Sequence, residues 1–240
     1  MTSPMARPLP RGSILDIPRS LAFYLVFYTG TVLLVIWVAL MMSVSEHRFR
    51  SAIRSWGKYH RACCRYLLGI RRESNVVHPR GGVLYAIRHE SFYEAIELPA
   101  TFDTPVVFAK MELMRLPLWG KAGVRYGLIG VERDAGAKAL RTMLTEARRL
   151  IANGRPLVIF PEGTRVPHGS AAPLQSGFAG LYKLLNLPVI PVAVNSGPLY
   201  HRLWKRSGTV RYHFGEEIPA GLPREEMEAR VLAALNVLHD

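Results

Sequence analysis

From residue 21 to residue 42 the chain carries no charged side chain, and beyond residue 72 it breaks into short apolar runs that alternate with helical stretches. As a helix the first run reaches roughly 33 Å, enough to cross a hydrocarbon core. Tyr24 and Tyr28 near one end and Trp37 near the other suit the membrane–water interface. The run is longer than the apolar core of a signal peptide, and no small-residue cleavage pattern follows it. The next segment, 48–68, places Arg50, Arg54, Lys58, Arg61 and Arg65 at spacings of three and four, with Ile53, Trp56, His60, Cys63 and Leu67 on another face. That periodicity predicts a basic amphipathic helix. Such a helix either lies on anionic headgroups or covers a soluble domain, and the adjacent apolar run favours the headgroups.

Past residue 72 the apolar runs at 83–88, 106–109, 128–132, 157–160, 189–194 and 210–214 read as strands. Helical periodicity is clearest over 137–153, where Leu140, Met143, Leu144, Ala147, Leu150 and Ile151 share a face and Asn153-Gly154 follows. Further helices are expected after Gly177 and over 225–238. The expected fold is therefore α/β, a central mixed sheet flanked by helices over residues 73–240, preceded by an N-terminal membrane-anchoring segment over residues 1–72. No internal repeat is present.

Charge sharpens this picture. Lys and Arg number 31 against 18 Asp and Glu, a formal net charge of +13 in 240 residues. An excess of this size favours an anionic partner: nucleic acid, an anionic membrane or a phosphorylated substrate. No nucleic-acid-binding motif is found, and the apolar run points to the membrane. Eight Lys and Arg with no Asp or Glu lie between Arg48 and Arg72, which by the positive-inside rule places the following domain on the cytoplasmic side of an inner membrane. Arg7, Arg11 and Arg19 precede the run, so an in-plane or re-entrant anchor stays open as an alternative. The two cysteines, Cys63 and Cys64, are adjacent, which suits neither a disulfide nor a zinc site.

Two clusters carry chemistry. His89 directly follows an apolar strand, where α/β folds place reactive groups, and Glu94 lies five residues on. Residues five apart on one helix do not share a face, so the two meet only if His89 is in the turn and Glu94 in the first helical turn. Glu94 would then fix the imidazole tautomer. His89-Glu90 is followed by Tyr93 and not by a second histidine, which excludes the HExxH zinc motif. The second cluster, Phe160-Pro161-Glu162-Gly163-Thr164-Arg165, also follows an apolar strand. Gly163 allows close backbone approach, Thr164 offers a hydroxyl and Arg165 a planar cationic fork, a set that suits a phosphate as well as it suits a tight surface turn.

Taken in order, these clusters resemble the lysophosphatidate acyltransferases, the PlsC-like glycerolipid acyltransferases. That family carries a His-x4-Asp block, here His89 to Glu94; a Gly…Arg block, here Gly127-Leu128-Ile129-Gly130-Val131-Glu132-Arg133; a Phe-Pro-Glu-Gly-Thr-Arg block, matched completely at 160–165; and a block around a Val-Pro pair, here 189–194. The resemblance covers about 83–197. It departs at Glu94, where the family has Asp, and Glu90 and Glu97 stand nearby as substitute carboxylates.

The resemblance implies that His89 is the general base and Glu94 its orienting partner. Arg133, Glu162, Gly163, Thr164 and Arg165 would form the acceptor site, with Glu162 positioning arginines. It implies a lysophospholipid acceptor, with lysophosphatidic acid converted to phosphatidic acid, and an acyl-CoA or acyl-carrier-protein donor. No metal or prosthetic group is called for. Phe92, Tyr93, Met111, Leu113 and Met114 line either an acyl channel or the core. Other lysolipid acceptors such as lyso-ornithine lipid, a non-catalytic lipid-binding protein, and an esterase using Ser91 or Ser176 are the competing readings; the last lacks a Gly-x-Ser-x-Gly elbow.

Overall fold

The computed structural model describes residues 12–131 and 136–239. Two helices come first, α1 (Asp16–Met42) and α2 (Glu46–Tyr66). There follow β1 (Ile70–Ser74), β2 (Leu84–Ile87), α3 (Phe92–Thr101), β3 (Val106–Lys110), α4 (Met111–Met114), α5 (Trp119–Tyr126) and β4 (Leu128–Val131). The remainder is α6 (Gly136–Ile151), β5 (Leu157–Ile159), α7 (Ser176–Leu185), β6 (Val189–Val194), α8 (Gly197–Tyr200), β7 (Gly208–Phe214) and α9 (Arg224–Leu235).

The seven strands form one sheet in the order β1-β7-β6-β2-β5-β3-β4. All neighbours are parallel except β6 and β7, so the sheet is mixed, as expected. Strand β2 is entirely buried because both of its faces are covered, which is why its sequence reads as a continuous apolar run without alternation. Its side chains nevertheless divide with period two. Val83, Tyr85 and Ile87 join a core with Phe23, Phe27, Cys63, Cys64 and Tyr93, beneath α1, α2 and α3. Leu84 and Ala86 join the opposite core with Met143, Ala147, Phe178 and Val231, beneath α6, α7 and α9.

Strand β1 has the sequence Ile-Arg-Arg-Glu-Ser, whose polar character hides it from a hydrophobic-pattern reading. It exists because it pairs in parallel along β7 at the sheet edge, where only Ile70 is fully buried. It spans the division expected at residue 72. Helices α4 and α5 also escape the sequence reading, being short and interrupted by Pro117.

Among the described residues, α1 is the one helix long and apolar enough to cross a membrane. One side of it is fixed to the domain. Ser20 Oγ accepts from the Lys205 amide at 2.8 Å, Tyr24 donates to the Leu203 carbonyl, and Trp56 Nε1 donates to Thr31 Oγ1 at 3.2 Å. Gly30 lies so close to Tyr59 that an added Cβ would fall 2.1 Å from the phenol oxygen. The other side is an uncovered apolar strip that includes Leu25, Tyr28, Val32, Leu33, Ile36, Trp37 and Leu40. A continuous strip of this kind marks a membrane-associating surface.

Helix α2 contributes more to the core than an isolated surface helix would. His60 is fully buried; Nδ1 lies 3.2 Å from Glu97 Oε1 and Nε2 lies 3.0 Å from the Tyr200 hydroxyl. Arg61 Nε donates to Glu97 Oε2 at 2.7 Å, and Arg72 Nε stands 3.9 Å from the same oxygen. Glu97 therefore joins α3 to α2 and β1. Replacing it with alanine leaves buried donors without an acceptor, and a loss of roughly 3 kcal/mol is expected. Chemical denaturation of Glu97→Ala in detergent, followed by far-ultraviolet circular dichroism, measures it.

Candidate active site

Strands β6, β2 and β5 are adjacent and parallel, so their C-terminal ends fall on one edge of the sheet. The chain leaves β2 for α3 and β3 on one side, and leaves β5 to return to β6 on the other. Such a switch point opens a crevice at the strand ends. His89 follows β2, the 160–165 segment follows β5, and Ser196 follows β6.

The turn after β2 sets His89 and Glu94 together as their spacing requires. Ser91 is the N-cap of α3 and Glu94 its third residue, forming a capping box. Glu94 Oε1 accepts from the amides of Glu90 and Ser91, the latter at 2.7 Å, and from His89 Nδ1 at 3.1 Å. Its extra methylene relative to aspartate is used in reaching back over the N-cap. Glu94 is fully buried, while His89 is partly open. With Nδ1 donating to Glu94, the free lone pair of the neutral imidazole is on Nε2. Phe160 stacks on the ring at 4.3 Å between centroids.

Ser196, which sequence reasoning passed over, completes the carboxylate's shell. Its hydroxyl donates to Glu94 Oε2 at 2.5 Å and lies 2.7 Å from the Ser91 hydroxyl. Each hydroxyl has one proton, so the shortest consistent chain runs from Ser91 to Ser196 to Glu94. The only sequence signal for Ser196 was its place two residues after the Val-Pro strand. Ser91 is fully buried in this network, which removes it as an esterase nucleophile.

The neighbouring carboxylates are committed elsewhere. Glu97 faces α2, as described. Glu90 Oε1 takes a hydrogen bond from His168 Nδ1 at 2.9 Å, and Oε2 takes one from the Gly197 amide at 2.9 Å. Glu90 lies below the usual carboxylate range: burial raises its pKa, but His168, His239 and the Gly197 amide together outweigh that.

The second cluster divides into an inner and an outer half. Glu162 is buried, with Oε1 3.2 Å from Arg88 Nη1. Arg88, also missed by sequence reasoning, is fully buried and donates to the Ser170 carbonyl and to Asn236 Oδ1. Glu162 thus contacts an arginine, Arg88, beneath the turn. Gly163 adopts φ +66°, the left-handed region that glycine enters without penalty, and its amide bonds to the Phe160 carbonyl at 3.0 Å. That turn exposes Thr164 and Arg165 while Glu162 points inward. The Arg165 guanidinium lies 4.4 Å over the Phe92 ring, where α3 begins. Arg133 lies outside the described residues; the strand that leads to it, β4, ends at Val131 on the same sheet edge.

His89, Phe92, Gly163, Thr164 and Arg165 line one side of a cavity of about 1310 Å³. Its remaining wall is mostly apolar and includes Leu34, Val35 and Val38 of α1, Trp56 of α2, and Leu113, Trp119 and Phe178. Of the five side chains offered for an acyl channel, Phe92 and Leu113 reach it; Tyr93 is buried in the core.

Burial pushes the Glu162 carboxyl up to about 7, with Arg88 offsetting only part of the cost. A raised folded-state pKa means that Glu162 contributes its full stability below the ordinary value of 4.5 and loses it as pH rises to about 7. Glu162→Gln is expected to abolish this dependence. Wild-type stability should fall more steeply than that of the variant between pH 5 and 7, by up to about 1.4 kcal/mol per pH unit. Denaturant titrations at several pH values provide the comparison.

Comparison with known proteins identifies the family. Residues 70–195 match the family model described as Acyltransferase. The 1-acyl-sn-glycerol-3-phosphate acyltransferase of Pseudomonas aeruginosa is 27% identical over 227 residues, covering 91% of this chain and 86% of that protein. The Helicobacter pylori protein of the same name is 28% identical over 173 residues, covering 70% and 73%. The crystal structure of PlsC, the 1-acyl-sn-glycerophosphate acyltransferase of Thermotoga maritima, superposes with a TM-score of 0.69 at 20% identity, covering 93% of this chain and 94% of that one. The family model matches more than half of the chain, and the chain belongs to the Acyltransferase family.

Proposed function

We propose that this enzyme transfers a fatty acyl group from a CoA or acyl-carrier-protein thioester to the sn-2 hydroxyl of lysophosphatidic acid, giving phosphatidic acid for phospholipid biosynthesis. The observation that carries the reading is one arrangement: His89, held by the buried carboxylate of Glu94, lines an apolar cavity next to the exposed cation of Arg165. The names of the Pseudomonas and Helicobacter relatives support the acceptor.

In this mechanism His89 Nε2 takes the proton from the acceptor hydroxyl as its oxygen attacks the thioester carbonyl. A C–O bond forms, the C–S bond breaks, and the departing thiolate recovers the proton from the imidazolium. Glu94 stabilises that imidazolium and holds the ring in one tautomer. Arg165, with Thr164 and the turn at Gly163, binds the acceptor phosphate at the polar side of the cavity while the acyl chain lies along its apolar wall. Glu162 and Arg88 act beneath that turn and fix its shape. No metal or prosthetic group enters these steps. The catalytic domain faces the cytoplasmic side of an inner membrane, a reading supported by the dense positive charge after α1. Protease protection in sealed vesicles tests that placement, and a lumenal or external domain would overturn it.

Phosphatidic acid formation from labelled acyl-CoA or acyl-carrier protein and lysophosphatidic acid tests the activity, with lyso-ornithine lipid as competing acceptor. His89→Ala is expected to lower kcat by about 10²–10⁴-fold. Glu94→Gln, which keeps the capping shape but loses the charge, should lower kcat more than it raises KM. Arg165→Ala should raise KM for the phosphorylated acceptor by roughly 10- to 100-fold, the value of one charge-assisted hydrogen bond. Faster acylation of lyso-ornithine lipid than of lysophosphatidic acid would replace the proposed acceptor.

A further inference from the structure

Beside Arg88, among residues that do not line the cavity, three side chains from distant parts of the chain converge. Glu90 belongs to the turn after β2, His168 to the loop after β5, and His239 to the turn that follows α9. Among the described residues, one ligand-type atom from each lies within 4.8 Å of the other two. Glu90 Oε1 stands 2.9 Å from His168 Nδ1 and 3.7 Å from His239 Nε2. Two ligands on a tetrahedral ion with bonds of about 2.1 Å are roughly 3.4 Å apart, a value that the two separations from Glu90 bracket.

The surroundings point the same way. Glu90 Oε2 is held by the Gly197 amide, which aims Oε1 at the imidazoles. Gly197 packs closely on this cluster, since an added Cβ would lie 3.1 Å from Glu90 Oε2 and 3.6 Å from the His168 Cβ. His239 Nε2 is buried and has no hydrogen-bond partner. The turn that carries His239 is closed by its amide donating to the Asn236 carbonyl at 3.0 Å. Two buried carboxylates, Glu90 and Glu162, surround one buried guanidinium, Arg88, whose Nε stands 3.9 Å from Glu90 Oε1. Arg88 is thus shared between the two carboxylates, and Glu90 Oε1 faces the imidazole side as well. The His168 and His239 side chains are each partly exposed.

We propose that Glu90, His168 and His239 form a binding site for a first-row transition dication, with two imidazoles and one carboxylate as ligands. This donor set suits zinc and its neighbours over magnesium or calcium, which prefer all-oxygen shells. On binding, the proton on His168 Nδ1 moves to Nε2 or to solvent, freeing the Nδ1 lone pair, and His239 supplies its Nε2 lone pair directly. No redox step is involved, and the ion takes no part in acyl transfer. Its effect is a crosslink: it ties the His89 turn, the loop beyond Arg165 and the end of α9 to one point.

The test uses the full chain without a polyhistidine tag, in detergent, stripped by a chelator and titrated with Zn²⁺ alone by calorimetry. One Zn²⁺ per chain is expected. Each of His168→Gln and His239→Gln should weaken binding by at least about 10- to 100-fold, since loss of outer partners alone has effects of that size. Circular dichroism establishes that each variant is folded. X-ray absorption at the zinc edge of the loaded wild-type protein gives a readout that needs no variant, and nitrogen and oxygen ligation with two imidazoles is expected. Failure to bind Zn²⁺ would overturn the proposal. So would undiminished affinity in both folded variants, or sulfur ligation, which would move the ion to Cys63 and Cys64.

Discussion

The ordering of this site depends on one buried carboxylate. Glu94 has no contact with solvent, and an ionised group in that position survives only if its lone pairs are filled. They are filled by the Glu90 and Ser91 amides, by the Ser196 hydroxyl, and by the imidazole of His89. Satisfying the charge therefore starts α3, fixes the turn after β2, joins the end of β6 to the end of β2 and orients the histidine, all at once. The strand order makes this possible, since β6 and β2 are neighbours whose ends coincide.

The same logic is repeated around it. Glu90, Glu97 and Glu162 are all buried, and each has basic groups about it from a different part of the chain. Buried pairs of this kind contribute little net stability but penalise any arrangement that separates them. They act as registration points between layers that apolar contacts alone would allow to slide. The two cores provide the bulk of the burial, and the carboxylates determine how α2, α3, the strand-end loops and the last helix meet.

Much of this was legible from the chain. The strands at 83–88, 157–160 and 189–194 were visible because burial on both faces leaves an unbroken apolar run. The turn-then-helix placement of His89 and Glu94 followed from their spacing alone. Strand β1 was not visible, because an edge strand rich in arginine has no periodic signature and exists only by pairing with a partner some 140 residues away. Arg88 was passed over, since a sequence does not show whether an arginine points out or in. Ser196 was missed for a related reason: a serine after a strand is ordinary until a buried carboxylate is known to need a donor. Glu162 was expected to position arginines, without a sequence signal for which; the turn at Gly163 sends it inward to Arg88 while Arg165 faces outward.

Helix α1 has two faces with different duties. Its outer strip is bare hydrocarbon surface, while Thr31, Leu34, Val35 and Val38 form part of the cavity wall that also holds His89. The first helix is thus more than a tether, and the chain is not modular at this boundary. A foreign spanning helix grafted in its place would restore the address of the enzyme but leave the pocket without a side.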